Sequence, residues 1–578
     1  MTFIRLLRRF LAPYAVSVWL VVGLLLFQSI GNLFLPNLNA DLINNGVAVG
    51  NINYIWRTGL IMLAITAALG VISIAAVYLA SRISMGVGRD IRTSVFSAVQ
   101  TFSQVEMNRF GPASLITRNT NDVQQLQIFL QMALTMMVVA PIMAVGGIFM
   151  AIHENVTLSS LLIVVIPLMA AVILIVFSRA VPLFQTMQKR IDRINLILRE
   201  QIMGIRVIRA FVQTHHEQER FRAANLDLTQ TALTVNRIFV LAFPAMMGIL
   251  YLTNVAVIWF GGHLVDSGSM PIGNIFAFLN YILQILMSVL MATMMVILVP
   301  RAVASGDRLM EVISTSPSIV TPKDTVTPTT KTGEVTFEHV DFGYQGGEEL
   351  VLRNISFTCK AGTTTGIIGG TGSGKSTILS LIPRLFDVTN GTLHVDGVDV
   401  RRRNLEEMWQ EIGFVPQFAY LFRGSVADNL RVGNPHATEQ EMWHALEVAQ
   451  ARDFIEAMPG KLEGAIDQGG TNVSGGQRQR LAIARAIIRN PKLYLFDDCF
   501  SALDASTDAR LRSALNETTS NATVIIVSQR VSTIMHASSI IVLDEGAIVG
   551  IGSHEELLRT CQPYEEIVVS QLGKEHVA

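Results

Sequence analysis

Residues 369–377 read GGTGSGKST, and the apolar run LYLF at 493–496 closes on two adjacent carboxylates, Asp497 and Asp498. Gly369, Gly374, Lys375 and Ser376 fit the spacing G-x-x-x-x-G-K-[ST]. A turn of this kind lets backbone N–H groups face a phosphate chain, and the N-terminus of the helix that follows adds its dipole. Lys375 balances the terminal phosphates and Ser376 ligates Mg²⁺, so the stretch Gly369, Gly370, Thr371, Gly372, Ser373, Gly374, Lys375, Ser376 and Thr377 is expected to cradle a nucleotide. Asp497, ending a buried strand, is expected to hold the Mg²⁺ shell. A third group, Ser474, Gly475, Gly476 and Gln477, opens a long helical segment in TNVSGGQRQRLAIARAI and makes a second anion-binding N-terminus.

These residues need a scaffold. From residue 334 onward, short β-like runs (EVTFEHVDF, TTTGIIGG, TVIIVSQ, SIIVLDEG) alternate with helical ones. That alternation predicts an α/β domain with a largely parallel sheet over 334–578. The Pro/Thr-rich stretch STSPSIVTPKDTVTPTTKT reads as a linker over 314–333.

Ahead of the linker the composition changes. Half of the 578 residues are hydrophobic and 15% are charged, which favours a membrane class. Uncharged windows long enough to cross a bilayer fall near 15–36, 58–80, 133–152, 158–178, 239–262 and 276–298. Residues 1–313 are therefore expected to form a six-helix membrane domain, preceded by a short amphipathic segment. Arginines crowd the N-terminus and the long segments 81–132 and 179–238, whereas loops such as HENVT contain no Lys or Arg. The positive-inside rule then places both termini in the cytoplasm. Each long segment has an expected glycine-containing turn point, at NRFGPASLITRNTND (108–122) and REQIMGIRVIRAF (199–211). A net charge of −1 argues against a nucleic-acid partner. Three cysteines without CxxC spacing predict neither a disulfide framework nor a zinc site.

Taken together, GGTGSGKST, SGGQ and LYLFDD behind six spans resemble the ATP-binding cassette (ABC) exporters, in the form of half-transporters. The resemblance covers essentially the whole chain and implies a six-helix transmembrane bundle fused to a P-loop cassette that uses ATP and Mg²⁺. It further implies that Tyr344 stacks on adenine and that Gln417 senses Mg²⁺. Ser474, Gly475, Gly476 and Gln477 would clamp ATP held by the other subunit, and Asp504 would sit in the loop between the two sites. The turn points around Gly111 and Gly204 resemble the coupling helices of the family.

Two positions depart from the family pattern. Asp498 stands where a catalytic glutamate is expected, and Gln529 stands where a histidine is expected. Shortening the acid by one methylene withdraws it by about an ångström, enough to cost about a hundredfold in rate. The chain therefore resembles the weak-site subunit of a heterodimeric multidrug exporter, binding ATP but hydrolysing it slowly beside a second, non-identical half-transporter. No charge lies within the spans, so a lipophilic drug or lipid is the expected cargo. Tyr281, Gln284, Met287 and Met291 are candidates for the cavity wall, with helix packing as the other explanation for each. An ATP-gated channel or regulatory sensor, and a homodimeric lipid or peptide flippase, are the alternative readings. The expected location is a prokaryotic plasma (inner) membrane.

Overall fold

The computed structural model describes residues 2–573 apart from 348. They form two compact units, Met1–Val99 with Pro112–Thr315, and Gln100–Gly111 with Ser316–Ala578.

The first unit begins with a helix, Thr2–Leu11, that buries Phe3, Leu6 and Phe10 and carries Arg8 and Arg9 in its last turn. This one-sidedness is what a segment lying along a membrane surface requires. Six helices long and apolar enough to cross a membrane follow among the described residues. Their α-helical runs are Ala15–Leu42, Ile52–Gln100, Val123–Glu154, Leu162–Ala210, Thr214–Asp266 and Ile272–Ser314, taken below as spans one to six. Each apolar window of the sequence overlaps its helix. Large side chains such as Trp19, Ile74, Phe149 and Leu174 are exposed, an arrangement that suits hydrocarbon rather than water. Where the turn Arg118–Asp122, just before the third span, packs on the sixth, a charged cluster fixes the join. Arg308 Nε donates to Asp122 Oδ2 at 2.8 Å, Ser305 Oγ donates to Asp122 Oδ1 at 3.0 Å, and Arg118 Nη1 donates to Glu311 Oε2 at 2.8 Å. Asp122 is almost wholly buried, so these partners offset the cost of its desolvation.

The expected turn at Gly204 is not there. The fourth span runs as unbroken helix to Ala210, through Gly204, and the chain reverses at residues 211–213. One glycine in a helix costs about 1 kcal/mol relative to alanine, too little to end a long run of good helix formers. The reversal instead occurs where Val212 takes a left-handed φ of 54°.

In the second unit, strands β1 (Val335–Phe342), β2 (Leu352–Cys359), β4 (Asn390–Val395) and β5 (Val398–Asp399) form an antiparallel sheet in the order β2-β1-β4-β5. The main sheet contains β3 (Thr364–Gly369), β6 (Ile412–Val415), β7 (Leu493–Asp497), β8 (Thr523–Val527), β9 (Ser539–Asp544) and β10 (Ala547–Gly552). Its order is β10-β9-β3-β8-β7-β6, parallel throughout except for β10. Strands β7 and β8 are buried at every position, the pattern of a parallel sheet covered on both faces. Part of the expected linker belongs to this unit, since Ile319 joins its core beneath β1 and β2.

Residues Gln100–Gly111 also belong here. Their short helix, Gln104–Phe110, starts at a capping box. Ser103 Oγ accepts from the Val105 N–H at 3.2 Å, and the Ser103 N–H donates to Glu106 Oε2 at 2.8 Å. The Ser318 N–H donates to Glu106 Oε1 at 3.2 Å, and Gly111, with φ 73°, ends the helix. Burial pushes the Glu106 carboxyl up, but the hydrogen bonds from Ser103 and Ser318 outweigh it and hold its pKa below the ordinary value.

Candidate nucleotide site

The sheet order decides where the site lies. Strand β3 sits between β9 and β8, so the carboxyl ends of β3, β8, β7 and β6 open on one side, where ligands bind in doubly wound sheets. A cavity of about 290 Å³ occupies that place. It is lined by Thr371, Gly372, Gly374, Lys375, Ser376 and Thr377 from the loop after β3, by Asp497 and Asp498 after β7, by Gln529 after β8 and by Gln417 after β6.

The loop conformation depends on glycine. Gly372 and Gly374 have φ of 84° and 96°, which L side chains rarely adopt. A Cβ on Gly374 would come within 2.5 Å of Leu352 Cδ2. Lys375 Nζ donates to the carbonyls of Gly369 and Gly370 at 3.0 and 2.6 Å and to Ser373 Oγ at 3.4 Å, so its charge is centred on the loop. Burial lowers the Lys375 pKa, while the neighbouring charges of Asp498 and Asp497 act to raise it.

Ser376 Oγ donates to Asp497 Oδ1 at 2.8 Å. Burial raises the Asp497 pKa; the Ser376 hydrogen bond opposes that, and the adjacent Asp498 adds to it. Ser376, Asp497 and Gln417 present oxygen donors to one cavity, a donor set suited to a hard cation such as Mg²⁺. These are the residues that would hold the ion, whose charge neutralises phosphate oxygens when bound.

Asp498 is the unusual member. Its φ is 42°, a left-handed conformation uncommon for a residue with a Cβ. Its N–H donates to the Val527 carbonyl at 2.9 Å, and its Oδ1 is buried without a hydrogen-bond partner. Burial raises its pKa, while the Gln529 backbone N–H, Lys375, Arg530 and the Gln417 side chain pull the other way. Arg530, which the sequence reading passed over, is anchored to the Ser501 carbonyl at 3.0 Å. Its position directly after Gln529 was the available signal.

Other expected residues stand outside the cavity. Tyr344 is 41% exposed and does not line it, but its hydroxyl is 3.2 Å from Thr377 Oγ1, and Phe342 and Phe386 brace its ring edge-on. Ser474 caps the helix Gly475–Ile487, accepting from the Gln477 N–H at 3.3 Å, while the Ser474 N–H donates to Gln477 Oε1 at 2.9 Å. That exposed N-terminus, with Gly475 and Gly476, contributes nothing to the cavity of its own chain. The helix is tied to the site indirectly, because Gln479 Nε2 donates to the Pro416 carbonyl at 3.1 Å, one residue before Gln417. Asp504 caps the helix Ala505–Thr518; the Ser506 hydroxyl and the Thr507 N–H hold its carboxyl well below the usual range.

In the membrane unit, Tyr281 is fully enclosed and its hydroxyl donates to the Leu33 carbonyl at 3.0 Å. This corrects its placement on a cavity wall, since it is the interhelical bond the sequence also allowed. Met287 and Met291 line neither the cavity beside Pro141 and Phe177 nor the one beside Asn32 and Asn280, whereas Gln284 lines the second.

A P-loop cassette carried on the same chain as six membrane-crossing helices defines a membrane protein that couples a nucleoside triphosphate to transport. Residues 18–289 match the family model of the ABC transporter transmembrane region, and residues 352–501 match that of the ABC transporter cassette. The chain is 46% identical to an uncharacterized ABC transporter ATP-binding protein of Mycobacterium tuberculosis, over 98% of each. It is 30% identical to an ATP-dependent lipid A-core flippase of Syntrophus aciditrophicus, over 86% of this chain and 83% of that one. A solved bacterial Atm1-family ABC exporter with ATP bound has the same fold, with a TM-score of 0.78 over 98% of each chain at 22% identity. The chain belongs to the ABC transporters, and its architecture is that of an exporter half-transporter.

Proposed function

We propose that this chain is one subunit of an ATP-driven exporter of lipophilic compounds, in which its own nucleotide site holds ATP and cleaves it slowly. The observation that carries the reading is Asp498: a short carboxylate in the position of the general base, with a buried oxygen that engages no neighbour. A general base acts only within hydrogen-bond reach of the attacking water. Gln529, lining the same cavity, replaces an imidazole that could orient that water.

ATP binding is retained, because Lys375, the glycine loop and the Ser376–Asp497 pair are in place. The exposed helix N-terminus at Ser474 is free to complete a site on a second, non-identical half-transporter, which supplies the glutamate and histidine missing here. ATP draws the two cassettes together, the long helices carry that closure to the spans, and the membrane cavity changes its accessible side. ATP must bind the closed pair better than the open one for this to occur. A cavity of about 660 Å³ between the third, fourth and sixth spans, lined by Pro141, Ile173, Phe177, Val289 and other largely apolar residues, suits an apolar cargo. Both termini lie in the cytoplasm in this reading.

The relative named as an ATP-dependent lipid A-core flippase favours a second reading, in which the cargo is a lipid; in that reading we take the assembly to be a homodimer of this chain. Co-purification followed by ATPase measurement separates them. A distinct half-transporter should co-purify, and replacing its glutamate should abolish nearly all turnover. Vigorous turnover by a homodimer of this chain would refute the heterodimeric reading.

A further inference from the structure

We infer that Gln571 is a positioning residue for ATP cleavage, its carboxamide bridging the main chain on both sides of Arg530 and so fixing how the segment that carries Gln529 stands in the nucleotide cavity. The inference rests on the reading that ATP is cleaved, however slowly, beside Asp498. Strand β8 ends at Val527, and the segment after it is secured at each end. The Ser528 N–H donates to the Ile367 carbonyl of β3 at 3.1 Å, and Val531, fully buried, opens the short helix Val531–Ile534. Gln529 and Arg530, between these ends, are exposed.

Arg530, at the N-cap of that short helix, gives it no side-chain bond. The bond comes from much further along the chain. Gln571 Oε1 accepts from the Val531 N–H at 2.8 Å, and Gln571 Nε2 donates to the Gln529 carbonyl at 2.7 Å. A carboxamide carries donor and acceptor in one plane, which suits a C=O and an N–H two residues apart. Spacing along the helix Gln562–Leu572 brings the amide there. Tyr564 and Val568 are buried in the cassette core, and Gln571, three residues after Val568, lies on the same face.

The bridge reaches the acid through Gln529. Gln529 shares its cavity with Asp498 and Lys375, and its N–H favours the charged Asp498 carboxylate. Val527, two residues before it, accepts from the Asp498 N–H at 2.9 Å. Without Gln571 the two exposed residues are free to take other conformations, and cleavage loses a fixed placement on which its geometry depends. ATP binding is held by Lys375 and the glycine loop, which the bridge does not touch.

Cleavage of γ-labelled ATP is measured over a range of ATP concentrations on the full chain in lipid nanodiscs, in wild type and in the Asp498→Glu background. Gln571→Met removes both bonds at nearly constant volume; it should lower kcat about tenfold, the effect of one or two weak hydrogen bonds, and leave KM for ATP within about twofold. Gln571→Glu keeps the acceptor for Val531 but sets an oxygen against the Gln529 carbonyl, so it should lose kcat in the same way, and it keeps the test open if Gln571→Met does not fold. Tyr564→Phe controls for docking of the same helix: it removes the hydroxyl that pairs with His554 Nδ1 at 2.7 Å and should lower the thermal midpoint with kcat unchanged. Unchanged kcat in both Gln571 variants, a loss of affinity as large as the loss of rate, an equal loss of rate in Tyr564→Phe, or no detectable cleavage in either background would each overturn the inference. The ratio of variant to parent rate decides it, whereas the absolute wild-type rate decides the slow-site reading, so the two fail separately.

Discussion

Replacing Asp498 with glutamate adds back one methylene at the proposed general-base position, in the cavity that Asp498 shares with Lys375 and Gln529. Asp498 is about nine-tenths buried, its backbone is pinned through its N–H to Val527, and Oδ1 touches no donor. The carboxylate therefore cannot gain reach by moving its main chain. The longer side chain projects into a cavity of about 290 Å³ that has room for it. If an ångström of misplacement costs about a hundredfold, the barrier should fall by about 2.7 kcal/mol, at 1.36 kcal/mol per decade. The assay is phosphate release by the chain purified alone in nanodiscs, with ATP affinity measured in parallel. Asp498→Glu should raise turnover between about tenfold and a hundredfold without changing affinity, and adding Gln529→His should raise it further. Two results would refute the reasoning: wild-type turnover already matching Asp498→Glu, or Asp498→Asn abolishing a substantial wild-type rate.

Lys375→Ala should reduce ATP affinity at least about a hundredfold, through loss of a buried charge opposite the phosphates; a titration with a fluorescent ATP analogue reads this directly. Asp498→Asn should raise the thermal midpoint of nucleotide-free protein near pH 7.5. Burial lifts the Asp498 pKa above its ordinary 3.8, so the ionised acid opposes folding above the raised value and not below the ordinary one. The gain should shrink as pH approaches 4, and a gain independent of pH would contradict the assignment. Ser103→Ala removes a helix cap and should cost about 1 kcal/mol, read as a lower midpoint in the same scans. Ser474→Ala should leave ATP binding at Lys375 intact while lowering turnover of the assembled transporter; reduced binding at the chain's own site would place Ser474 where the fold does not.

The membrane class, the count of spans and the phosphate loop were legible from sequence, because each depends on local composition or on a fixed spacing. Six uncharged windows need no partner to be recognised, and GGTGSGKST requires its glycines wherever it occurs. The turn at Gly204 was misread for the complementary reason: a glycine is only a weak local preference, and the surrounding helix overrode it in favour of a reversal at Val212. Tyr281 and Gln284 share a face by helical spacing and both donate to carbonyls of the first span, yet Tyr281 is wholly enclosed whereas Gln284 lines a cavity. Periodicity places residues on a face but does not say what that face meets. Composition and spacing by themselves determined that this chain crosses a membrane and grips a nucleotide. Only the tertiary structure, by bringing the ends of four strands together, decided that Asp498 shares its cavity with Lys375 and Gln529 while an oxygen of its carboxylate is left without a partner, since contacts between residues far apart in sequence are set by packing.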